Sequence, residues 1–83
     1  MPKKPKRTEQ EVHDMIVKDA KIRLGCAAFA PEFTLYHIEL TSYPRVNWDV
    51  PSARNVAESK PDCREAFNEA VARARRKFDI AWP

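Results

Sequence analysis

Eighty-three residues allow one domain, near the lower size at which a hydrophobic core suffices without staples. At 43% hydrophobic and 10% aromatic the chain is too apolar to be wholly disordered, and its longest uncharged run, Leu24 to Pro31, is too short for a transmembrane helix. The formal net charge of +3 is concentrated: four of the fifteen Lys and Arg residues lie in the first seven positions, so residues 8–83 carry one more acid than base and make no basic body.

Residues 1–7, MPKKPKR, hold two prolines and no apolar residue after Met1, which predicts a disordered basic arm ahead of a single domain over 8–83. A first helix is expected from Thr8 to about Leu24. Thr8 and Glu11 have capping-box spacing, and Val12, Met15, Ile16 and Ile22 recur at helical intervals, with Asp19 interrupting the stripe. Acids come early and bases late, matching the helix dipole, and the only glycine, Gly25, stands where a left-handed cap is needed.

After the connector CAAFAPE, the run Phe33 to Thr41 is rich in β-branched and aromatic residues and predicts a strand. Tyr36, Ile38 and Leu40 form the better core face; Leu35, His37 and Glu39 form the other. Ser42 to Arg45 reads as a turn. Val46, Trp48 and Val50 alternate with polar residues as a second strand that Pro51 ends or places on an edge. Residues 51–60 leave room for a short third strand around Arg54 to Ala57. A second helix follows over 61–78, with Pro61 in the first turn and Ser59 and Asp62 at capping-box-like spacing. Its apolar stripe is Cys63, Phe67, Ala70, Val71, Ala74 and Phe78. Trp82 is expected to fold back onto the core as a clasp.

The predicted fold class is therefore small α+β: helix, strand, strand, helix, with two amphipathic helices packed on a short antiparallel hairpin. A two-stranded sheet is marginal alone, so pairing of its exposed edge with a second copy, a homodimer, is expected. The order overlaps in outline with double-stranded-RNA-binding domains. Asp62, Cys63, Arg64 and Glu65 stand where that fold has a basic start to its second helix, so no function is carried over.

Chemistry is mostly excluded. One glycine rules out the P-loop and the dinucleotide fingerprint. His13, Asp14, His37, Cys26 and Cys63 have none of the familiar metal spacings, so no metal and no cofactor is expected. Cys26 with His37 or His13, Ser42 near His37, and the pair His37 and Glu39 lack any local catalytic signature, so no catalytic residue is assigned. Cys26 and Cys63 could form one bridge, but spacing does not decide whether they meet. A buried reduced thiol is the reading preferred for Cys63, and with no secretion signal the cytoplasm is the expected compartment.

Two basic runs remain: Lys3, Lys4, Lys6 and Arg7 in the arm, and Arg73, Arg75, Arg76 and Lys77 at the end of the second helix. The second run also suits the helix dipole, and Glu69 stands four residues before Arg73. If both runs share one side of the domain they make a footprint for a polyanion. Tyr36 and Trp48 are the candidate protein-interface residues, with core packing the competing role for Trp48. The leading expectation is a non-catalytic binding module for another protein or for itself, with no membrane partner. The alternative is a nucleic-acid-binding accessory protein using the two basic runs. A small hydrolase or transferase around Cys26 or His37 is a weaker third.

Overall fold

The computed structural model describes residues 4–23, 25–38, 46–50, 53–54 and 60–82. Helix α1 runs Glu9–Lys21. The capping box is formed: the Glu11 amide donates to Thr8 Oγ1 at 3.1 Å and the Thr8 amide to Glu11 Oε1 at 3.4 Å. Val12, Ile16 and Ala20 are buried one turn apart. The helix stops earlier than expected, and Ile22 becomes its C-cap. Its dihedrals are still helical, which puts it roughly opposite Ala20 around the helix, and it is 76% exposed. Gly25 has φ +85°, so it turns the connector rather than the last helical turn.

Helix α2 runs Pro61–Lys77, with Pro61 in its first turn and Lys60 as an N-cap that makes no side-chain hydrogen bond. The expected Ser59 cap lies outside the described residues. Cys63, Ala66, Phe67, Ala70 and Ala74 are buried. The helices are antiparallel. Asp19 meets Arg73, Arg23 meets Glu69 and Glu65, and Cys26 meets Cys63, so positions rise on one helix as they fall on the other.

The last of these contacts overturns the reduced-thiol expectation. Cys26 and Cys63 form a disulfide, with Cα atoms 5.6 Å apart, and no described cysteine is free. The turn at Gly25 precedes Cys26, and the antiparallel helix pair sets it against the first turn of α2, a proximity that local spacing does not encode.

The strands are short. β2 (Glu32–Phe33) pairs antiparallel with β5 (Ala53–Arg54), and β3 (Tyr36–His37) pairs antiparallel with β4 (Trp48–Asp49). This is the expected hairpin plus the start of the suspected third strand; residues 55–57 lie outside the described residues. Two residues separate β2 from β3, while three separate β4 from β5, so the register slips by one, as at a β-bulge. The expected core face is corrected as well: Leu35 is buried, on the side of the half-buried Phe33 two residues before it, and Tyr36 is 50% exposed, while Leu40 lies outside the described residues.

A third ladder joins the ends of the chain. β1 (Lys6–Arg7) lies parallel to β6 (Asp79–Ile80). The expected disorder of the arm therefore does not extend over residues 6–7. Their backbones find partners in the segment that leaves α2: the Asp79 amide donates to Pro5 O at 3.1 Å and the Ala81 amide to Arg7 O at 2.9 Å. Asn47 ties this ladder to the hairpin by acting as a side-chain peptide. Its Nδ2 donates to Ile80 O at 2.7 Å and its Oδ1 accepts from the Ile80 amide at 2.9 Å.

Both tryptophans close the same junction. Trp48 is fully buried, its indole N–H donating to Phe78 O at 3.0 Å. Trp82 packs on the core, as expected of a clasp, and donates to Asn47 O at 2.9 Å. The fold is thus a small α+β domain, with one core between the helix pair and the short ladders. Among the described residues no helix is long and apolar enough to cross a membrane.

Candidate nucleic-acid interface

The parallel pairing of β1 with β6 decides where the charges lie. β6 begins two residues after α2 ends, so the arm runs beside the last turn of that helix. Lys4 Nζ stands 3.3 Å from Asp79 Oδ1 and donates to Arg75 O at 3.1 Å, covering a carbonyl at the negative end of the helix dipole. The Arg7 guanidinium lies 5.5 Å from the centre of the Phe78 ring. The two basic runs therefore meet on one side of the domain. Lys3 lies outside the described residues.

The runs do not contribute equally. Arg73 faces α1, with its guanidinium 2.9 Å from Asp19 Oδ2 and 3.9 Å from Glu69 Oε2, so the acid that interrupts the first apolar stripe is its partner. Arg75 reaches Asp49 at 3.7 Å. Asp79 lies beyond α2 and pairs with Lys4 rather than with the arginines of the helix. Lys6, Arg7, Arg76 and Lys77 are exposed, and no ion pair among the described residues involves them. These four are the exposed cations near the junction of β1 with the end of α2.

The other candidates are dispersed. Tyr36 is exposed, whereas Trp48 is inside the core and presents no surface to a partner. The sheet edges proposed for pairing with a second copy belong to ladders two residues long, a short template for another strand. The His13 ring stacks on Phe33 with centroids 4.1 Å apart, and His37 lies 5.4 Å from Trp82, so each histidine has an aromatic neighbour.

Cys26 is held in the disulfide and has no thiolate to offer in this form. Glu39 and Ser42 lie outside the described residues. Among the described residues no three His, Cys, Asp or Glu are grouped to hold a metal ion. An open groove of about 520 Å³ runs beside the start of α1, lined in part by Thr8, Glu9, His13 and Phe33.

Two structural residues escaped the sequence reading. Asn47 looked like a solvent-facing position of a strand, and Phe78 like the last residue of a helical stripe; both instead hold the β1–β6 junction. Polar alternation carries no sign of a side chain that will pair with a distant backbone. Comparison with protein families, with curated proteins and with solved structures finds no match for this chain.

Proposed function

We propose that this chain is a small non-catalytic binding module whose basic face engages nucleic acid in the cytoplasm. The observation that carries the reading is the parallel β1–β6 pairing, which lays Lys6 and Arg7 against Asp79 and Ile80, just beyond Arg76 and Lys77 in the chain. Four exposed cations clustered at one end of a nearly neutral body offer phosphates a local concentration of charge that net charge alone does not reveal. The expectation of a protein partner has less support, since one of its two candidate residues is buried.

The test is fluorescence anisotropy with labelled single- and double-stranded oligonucleotides at several salt concentrations. Four phosphate contacts give a slope of log K against log salt of roughly −3 to −4 on duplex DNA. Changing Arg76→Gln or Lys77→Gln should lower affinity and flatten the slope by about one per cation removed. Deleting residues 1–7 is a poor probe because it also removes β1; Lys6→Gln with Arg7→Gln keeps the backbone pairing and removes the two charges together with the Arg7 contact to the Phe78 ring. No binding by the full chain at low salt would end the reading.

A further inference from the structure

The disulfide sits at one end of the helix pair, where the connector after α1 crosses the first turn of α2. The rest of the helix pair has contacts of its own. Val12, Ile16 and Ala20 share a core with Phe67, Ala70 and Ala74, and Arg73 bridges to Asp19 at 2.9 Å further along. The connector is held at its start by Arg23, which reaches Glu69 at 2.7 Å and the Asp62 carbonyl at 3.2 Å. Beyond Arg23, the Cys26 amide reaches back to Arg23 O and the Phe29 amide to Cys26 O, both at 3.0 Å, which are local turns that give it shape without fixing it to α2. There its ties to α2 include the bridge and the edge-on contact of Phe29 with Phe67, 6.3 Å between centroids. Cys63 is the third residue of α2, whose N-terminus has no side-chain cap. A thiolate leaving there meets the positive end of the helix dipole, with Asp62 and Glu65 opposing it.

We propose that the Cys26–Cys63 bond is a reversible redox latch, opened by low-molecular-weight thiols, that fastens the connector to α2 without being needed for the helix pair. In a reducing compartment the pair rests as the dithiol, and an oxidant closes it. Opening is ordinary exchange. A thiolate of the reductant attacks one sulfur, and the other cysteine leaves as a thiolate and takes up a proton. A second reductant thiolate then displaces the mixed disulfide. The chain gains two hydrogens and the reductant becomes a disulfide. Cys26 is 1% exposed and Cys63 4%, so exchange requires local opening and runs slowly in the native state.

The experiment uses the full chain, oxidised by glutathione disulfide or reduced by dithiothreitol, and follows melting, amide hydrogen exchange and thiol count after denaturation. The expected result is a cooperative melt in both states, with the midpoint roughly 10–20 °C lower when reduced. Protection should fall over residues 25–29 and 60–66 and persist in the rest of both helices. The double variants Cys26→Ser with Cys63→Ser and Cys26→Ala with Cys63→Ala should reproduce the reduced state. The alanine pair guards against the cost of buried hydroxyls. Loss of protection throughout both helices on reduction, and in both double variants, would make the bond a constitutive staple and overturn the latch. Two alkylatable thiols after treatment with glutathione disulfide, or indistinguishable melting and exchange in the two states, would overturn it as well.

Discussion

The two ends of α2 use similar residues for different ends. At the N-terminal end, Arg23, just past α1, bonds Glu69 at 2.7 Å and the Asp62 carbonyl at 3.2 Å, beside the Cys26–Cys63 bridge. There positive charge is matched by nearby acids, and the role is cohesion. At the C-terminal end, Arg76 and Lys77 are exposed near the β1–β6 ladder, the nearby carboxylates being already engaged by Lys4 and Arg75. The number of acids within reach, rather than the number of bases, separates a cation engaged in an ion pair from one left open to solvent.

That contrast can be broken most severely at the C-terminal junction. Trp48→Ala removes the largest fully buried side chain and should cost about 3–5 kcal/mol, enough to abolish a cooperative melt in so small a fold. Urea denaturation followed by circular dichroism will show it. Asn47→Ala removes both side-chain bonds to the Ile80 backbone and should cost about 2 kcal/mol. Its hydrogen-exchange loss should concentrate at residues 6–7 and 79–81, and a uniform loss would deny Asn47 its junction role.

At the other end the effects are smaller. Gly25→Ala has open space for the new Cβ, but φ +85° strains it, for a cost of about 1 kcal/mol in melting experiments. An unchanged melting point there would show that the connector adapts.

The sharpest comparison is also the smallest in energy. Arg73→Gln should lower stability by up to about 1 kcal/mol, since its ion pairs are partly exposed, and leave oligonucleotide affinity unchanged. Arg76→Gln should alter stability by no more than about 0.5 kcal/mol and weaken binding. The reverse pattern would erase the distinction between the two arginines.

Much of the local architecture was legible before any coordinates. Thr8 and Glu11 announced their capping box, the 3.6-residue recurrence of apolar positions marked both helices, and Trp82 after Ile80 read as a clasp. Each is a short-range signal, carried by residues within a turn or two of one another or by one large apolar side chain. The candidate basic residues were also visible, but their division was not, because Arg73 and Arg76 are alike until Asp19 is brought beside one of them.

Sequence by itself determined the two helices with strands between them, and the concentration of positive charge in the arm and the end of α2. Tertiary structure decided that the arm becomes β1, that Leu35 rather than Tyr36 enters the core, and that Cys26 meets Cys63. The physical reason is the range of the information. Backbone capping and hydrophobic period are set by neighbours along the chain, whereas a parallel ladder between the two chain ends, a one-residue register slip and a cross-link are set by which distant surfaces can be buried together.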